Sequence, residues 1–228
     1  MKFITFSFDD NVVDDIRLVE ILNKYGLKGT FNLNSGTLSR ISSWRYGDVK
    51  DVTYINYCEQ PNLYDGHEVA CHTYRHPHLE KLDRGTADNE VRLDKKILEC
   101  LYGYQIRGMA YPYGTYNDEV LEVLRDNGIE YSRTVKSTHR FGFPEEPLLW
   151  NPTCHFRDAE VMKLAEKFLN SESEEDMLLY IWGHSYEMVT EEDWKAFEEL
   201  CAYISGREDI RYCTNIEVLD YMSGKNHE

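Results

Sequence analysis

The chain has 228 residues, 42% of them hydrophobic, with 14 Gly and 6 Pro, a composition that excludes collagenous and low-complexity chains and fits one globular domain over residues 1–228. A formal charge of −16 excludes the basic footprint that nucleic acid requires. No run approaches the ~20 consecutive apolar residues of a membrane span.

The N-terminal residues lead into Asp9 and Asp10 without the apolar region and cleavage site of a signal peptide, so a cytoplasmic location is expected. Six cysteines, at 58, 71, 100, 154, 201 and 213, show no zinc-ribbon or redox spacing and read mostly as small core residues.

In chain order, residues 3–8 alternate as a strand does, and Asp14-Asp15 opens a helical pattern that stops at Gly26. Residues 28–33 form the next strand, 48–57 a weak helix, and 67–71 a short strand. Val91, Leu93, Ile97, Leu98 and Leu101 give 86–102 a helical period ending at Gly103. A strand over 105–110, a helix over 117–127 and strands over 129–134 and 149–155 follow. Next come a helix over 158–169 and a strand over 177–182. Thr190 and Asp193 have the form of a capping box for a helix reaching about 205. A strand over 211–213 and a helix from Thr214 close the chain. Strands alternating with helices indicate parallel βαβ units, and their number in this length predicts an α/β barrel. The chemistry of such barrels gathers at the C-terminal ends of the strands.

Polar clusters stand near the ends of these strands. Asp9 and Asp10 follow the first; adjacent carboxylates repel unless a cation or donors compensate them. They read either as a helix start or as a functional pair, and Asp14 and Asp15 already fill the first role. His72 and His76 lie four apart, so one helical turn would aim both imidazoles at one point; the pair reads as metal ligands or as a solvated face. His67 and His78 read as flanking residues. Arg107 reads as a surface charge or as the cation that holds Asp9 ionised. His184, after the apolar residues 179–182, reads as a satisfied core histidine or as a functional one.

Taken together, these clusters resemble the polysaccharide deacetylase family, the NodB-homology domain of carbohydrate esterase family 4. The first motif of that family is similar to Ser7-Phe8-Asp9-Asp10. The second resembles Gly66-His67-Glu68 with His72-Thr73-Tyr74-Arg75-His76-Pro77, the third residues 107–114, and the fifth residues 179–184. The resemblance implies a distorted, single-domain (β/α)7-8 barrel in which Asp10, His72 and His76 bind one divalent metal. Zinc is expected first, with cobalt, nickel or manganese tolerated by the same ligands. It further implies Asp9 as general base supported by Arg107, the backbone N–H of Tyr113 as oxyanion donor, and His184 as general acid.

The implied reaction is metal-dependent hydrolysis of a carbon–nitrogen bond other than a peptide bond. Its expected substrate is an N-acetyl (or O-acetyl) group on a soluble sugar or oligosaccharide. Another small amide, or a catalytically silent glycan- or metal-binding role, are the alternatives; neither nucleic acid nor membrane is an expected partner. The chain departs from the family at Asn11, where a Gly is usual. It departs again at Ser132-Arg133-Thr134, where the fourth motif has an Asp and a Trp. Trp150 is then the expected aromatic wall, and Arg133 a substrate contact by position.

Overall fold

The computed structural model describes residues 1–38 and 42–224. Its elements are β1 (Lys2–Asp9), α1 (Asp15–Lys24), β2 (Gly29–Leu33), β3 (Ser43–Tyr46), β4 (Lys50–Thr53), β5 (Glu68–Cys71), α2 (Arg84–Tyr102), β6 (Gly108–Ala110), α3 (Asp118–Asp126), β7 (Tyr131–Arg133), β8 (Cys154–His155), α4 (Val161–Leu169), β9 (Met177–Gly183), α5 (Glu191–Ile204), β10 (Ile210–Tyr212) and α6 (Asn215–Met222). The main sheet is parallel and runs β7-β6-β5-β2-β1-β9-β8, with β10 also on β1. A bridge between Arg133 and Trp150 joins the β7 edge to the segment that leads into β8. The sheet therefore curls into the α/β barrel expected from the alternation of elements.

The alternation along β1 sorts its side chains between two environments. Ile4, Phe6 and Phe8 pack outward against Leu18, Leu22 and Phe197 of the helices. Phe3 points the other way, into a cluster with Tyr131, Trp150 and Tyr180. Thr5, Ser7 and Asp9 share its parity. A column of polar groups rises above that cluster. Thr5 donates to Asn215 (2.8 Å), the Asn215 amide nitrogen donates to Tyr180 (2.5 Å), and the Asn215 backbone N–H donates to Thr30 (2.9 Å). Thr30 and Tyr131 in turn donate to the two oxygens of Glu68, at 2.8 and 2.7 Å. Strand parity thus carries Asp9 to the top of an interior already built from hydrogen-bonding groups.

The stop at Gly103 and the capping box at Thr190 act as read, and Asp83 adds a cap ahead of the expected start at 86. Asp83 caps α2 through the Thr86 N–H (3.1 Å), Gly103 ends it at φ +75, and Thr190 with Asp193 forms the capping box of α5. The weak helix over 48–57 is not formed. Those residues complete an antiparallel hairpin of β3 and β4, and Tyr54 bridges Val12. The hairpin prevails because Val52 is buried with Val12 and Tyr186, with Trp44 and Tyr46 packed against them, a contact a local helix could not make. Trp150, the expected cleft wall, lies fully buried in the lower interior instead. No helix among the described residues is long and apolar enough to cross a membrane.

Glu68 makes the interior sensitive to pH. Burial pushes its carboxyl up to about 7 from an ordinary 4.5, despite hydrogen bonds from Ile216 N, Tyr131 and Thr30. Between those values the folded chain keeps a proton that the unfolded chain releases. The contribution of this group is therefore complete below 4.5 and lost as pH rises through about 7. Glu68→Gln should gain about 3 kcal/mol relative to wild type across that interval, read from urea unfolding at both ends. Parallel pH dependences for the two proteins would exclude this role.

Candidate active site

The C-terminal strand ends present one cleft of ≈ 490 Å³ lined by Asp9, Asp10, His72, His76, Tyr111, Tyr113, Val135, Trp182, His184 and Tyr186. On its floor, Asp10 Oδ1 lies 3.6 Å from both His72 Nε2 and His76 Nε2. Three donors bound at ~2.1 Å in a tetrahedral arrangement would stand about 3.4 Å apart, so one oxygen and two imidazole nitrogens here fit a divalent transition metal. The His72 Nδ1 is 2.8 Å from the Ala110 carbonyl, which places the ring hydrogen there and leaves Nε2 with its lone pair toward the cleft. Burial holds His72 and His76 at about 4 despite nearby carboxylates, so both rings are neutral at physiological pH.

The His72–His76 spacing does not work through a helical turn. Thr73 and His76 adopt left-handed backbone conformations, φ +67 and +60, and the loop between them folds the second imidazole back over the first. The rings meet at 4.7 Å. The His72 N–H is held by Asp94 (3.0 Å), the Thr73 carbonyl by Asn34 (2.9 Å), and the His76 N–H by Thr73 Oγ1 (3.0 Å). Asp10, Asn11, Thr73, His76 and Tyr113 are five of the six non-glycine residues with positive φ among the described residues. Such conformations cost roughly 1–3 kcal/mol each and persist where surroundings over-determine them, so their concentration here marks a functional site. Asn11 keeps the left-handed turn that a glycine makes easily. Its amide spans Thr37 (3.0 Å) and the Asn34 N–H (2.8 Å).

Asp9 is buried, and its cation is Arg133, not Arg107. The Arg133 Nη2 donates to Asp9 Oδ2, its Nε reaches Ser7 Oγ at 3.2 Å, and its guanidinium lies 4.3 Å from the centre of the Trp182 ring. Asn32 donates to the other Asp9 oxygen at 2.8 Å. Burial opposes ionisation of Asp9, but Arg133, His72 and His184 outweigh it and hold the carboxyl at about 2. Arg107 precedes β6, whereas Arg133 ends β7. In a parallel sheet the first lies at the far end of the barrel, roughly 10 Å of strand from the cleft. There Arg107 grips Glu130 (2.6 Å) and Asp220 (2.7 and 2.8 Å), closing α6 over the lower rim. Arg133 is likewise no surface substrate contact, being fully buried.

His184 follows β9, with Nε2 at 3.8 Å from Asp9 Oδ2 and 3.9 Å from Asp10 Oδ2. Burial works against its charge, yet Glu187, Asp10 and Asp9 push it up to about 9. Tyr113 sits in the turn Pro112–Gly114 at φ +59, half exposed, its ring stacked on His78 at 3.9 Å. Gly114 is required there, because a Cβ would come within 2.3 Å of Val135. Of the expected set, the cleft brings together Asp9, Asp10, His72, His76, Tyr113 and His184 and leaves out Arg107. His67 lies outside it, accepting the Gly29 N–H at 3.1 Å. Trp182 and Tyr186 were not singled out. The signal for Trp182 was available in the parity of β9, where it stands two residues before His184.

The polysaccharide deacetylase family profile matches residues 1–132, and the chain belongs to that family. It is 31% identical over 125 residues to a chitin deacetylase of Arthroderma benhamiae, covering 54% of this chain and 31% of that protein. Among solved structures it resembles a Streptococcus pyogenes deacetylase in complex with acetate, with TM-score 0.55 and 23% identity over 64% of this chain and 61% of that one. It also resembles a CE4-family pseudoenzyme from Bacillus anthracis, with TM-score 0.61 and 16% identity over 96% and 66% of the two chains. At these identities the structural likenesses establish the fold, a NodB-type α/β barrel. The chain spans about a third of the fungal relative and three fifths of the streptococcal one.

Arg133 and Asp9 are both buried, so removing one partner leaves an uncompensated charge. Arg133→Met should cost about 3–5 kcal/mol in urea unfolding, and Asp9→Asn in the same chain should recover part of that loss. Strict additivity of the two substitutions would exclude the coupling.

Proposed function

We propose that the cleft hydrolyses acetyl groups, N-linked before O-linked, on a short soluble carbohydrate, as a hydrolase of non-peptide carbon–nitrogen bonds. The observation that carries this reading is the convergence of Asp10, His72 and His76 donor atoms within 4.8 Å of one another beside Asp9 and His184. Those three would hold a divalent cation, zinc first, which would supply Lewis acidity to lower the pKa of a water toward ~7 and polarise an acyl carbonyl. Asp9, ionised and anchored by Arg133, accepts the water's proton at the carboxylate. The backbone N–H of Tyr113 donates to the carbonyl oxygen as charge develops on it, a contribution of ~3 kcal/mol for one well-placed donor. His184, protonated below about 9, delivers a proton from Nε2 to the departing amine. Tyr113 and Trp182 offer aromatic faces of the kind that sugar rings pack on, and the family supports an acetylated carbohydrate as the substrate class.

The deciding experiment measures metal content and acetate release together. After equilibration with zinc, wild type should hold about one ion per chain and release acetate from N-acetylglucosamine oligomers. His72→Ala with His76→Ala should lose both properties. Release of a different acid from a small amide would move the substrate while keeping the site; a metal-free wild type would end the hydrolase reading.

His184→Ala should retain the metal and lose ~10²–10⁴ in turnover of the N-acetyl substrate. Because His184 works as the protonated form, wild-type turnover should fall as pH rises toward and through about 9. A rate that stays flat through that range, or loss of metal in the alanine variant, would reassign the residue.

A further inference from the structure

The carboxylate of Glu187, in the short turn Ser185–Glu187 after β9, is enclosed by donors. Its Oε2 accepts the backbone N–H of His184 at 3.1 Å and lies 2.9 Å from His155 Nε2 and 3.2 Å from His184 Nδ1. His155 ends β8, and its Nδ1 accepts the Arg157 backbone N–H at 3.1 Å. A neutral imidazole that accepts at Nδ1 carries its hydrogen on Nε2, so the ring points a donor at Glu187. The Arg157 guanidinium also donates to the Glu187 carbonyl at 3.0 Å. His155 is kept edge-on to Trp182, with ring centres 4.8 Å apart. Space for this packing depends on Gly183, where a Cβ would approach Phe156 to 2.2 Å and His155 Nε2 to 3.0 Å.

His184 has a carboxylate near each ring nitrogen, with Nδ1 at ion-pair distance from Glu187 and not in an aligned hydrogen bond. Its Nδ1 faces Glu187 and its Nε2 faces Asp9 and Asp10 in the cleft. Two imidazoles and a carboxylate whose donor atoms lie within 4.8 Å of one another also have the composition of a metal site. The Arg157 N–H argues against that use, because a cation on His155 Nε2 needs the ring hydrogen on Nδ1, where that N–H already points.

We infer that Glu187 is the positioning residue of His184, with His155 as its support, in the role left open by the missing fourth-motif carboxylate. The inference rests on His184 being the proton donor of the proposed reaction. The Glu187 carboxylate, 3.2 Å from Nδ1, favours a hydrogen on that nitrogen by its charge and leaves Nε2 to direct the transferable proton at the leaving atom. The step balances simply: the acyl C–N bond breaks, the nitrogen takes the proton from Nε2, and His184 is left neutral.

A general acid matters for an amine leaving group and little for 4-nitrophenolate, which departs as the anion. The test therefore compares turnover of an N-acetylglucosamine oligomer and of 4-nitrophenyl acetate by zinc-loaded protein. Glu187→Gln should lower kcat on the oligomer by ~10–100-fold, in the range typical of residues that orient a functional group. Its KM should stay within about twofold, its nitrophenyl ester turnover within about threefold, and its zinc at one per chain. His155→Phe should lose ~10-fold on the oligomer, and His155→Gln, which restores an N–H donor, should regain most of that. Equal losses on both substrates, or none on the oligomer, would overturn the inference. So would zinc falling from two ions per chain to one in Glu187→Gln, which would make the cluster a second metal site. A wild type idle on both substrates would instead remove the deacetylase reading, and this inference with it.

Discussion

The buried ion pair between Arg133 and Asp9 is the constraint around which the upper barrel is arranged. Two charges taken out of water lose several kcal/mol of solvation each, and only good geometry with further hydrogen bonds compensates. The chain supplies that compensation from separate strands. Ser7 of β1, Asn32 of β2, the carbonyl of Thr134 and the face of Trp182 on β9 all meet the pair. Those contacts tie together the strand ends that also carry Asp10, His72 and His184. An apolar replacement would pack as well and remove the reason for Asp9 to remain charged.

The rest of the site follows from what a charged barrel top demands. Asp9 stays ionised between the neutral imidazole of His72 and the protonated one of His184, so protons and cations have defined places to go. Of the left-handed residues, Asp10, His76 and Tyr113 line the cleft, while Asn11 and Thr73 brace the loops behind it. Their strain is tolerated because buried amides and carboxylates hold the loops from behind. Asn34 binds the Thr73 carbonyl, Asp94 the Ser35 and His72 N–H groups, and Asn11 the Asn34 N–H. The polar column below, from Glu68 to Asn215, gives the barrel an interior of groups that hydrogen-bond to one another.

Local chemistry was legible where neighbours in sequence remain neighbours in space. The order of strands and helices, the stop at Gly103 and the capping box at Thr190, and the Asp-Asp and His-three-residues-His clusters all depend on short covalent spacings and a period of two or 3.6. Even there the mechanism differed: the spacing from 72 to 76 acts through a strained loop, since Thr73 and His76 leave the helical region entirely. The hairpin over 43–53 was missed because its stability comes from Val12 and Tyr186, which lie far from it along the chain.

The sequence by itself determined the parallel α/β architecture, the family, and which carboxylates and imidazoles gather at the strand ends. Only the tertiary structure decided which cation faces Asp9 and which carboxylate faces His184. Arg107 and Arg133 are alike as residues, and their fates part because one precedes a strand and the other ends the next. Asp9 and Arg133 are 124 residues apart, and Glu187 and His155 are 32 apart. Pairings of that range are set by strand register and by side-chain parity across a closed sheet, which no local pattern encodes.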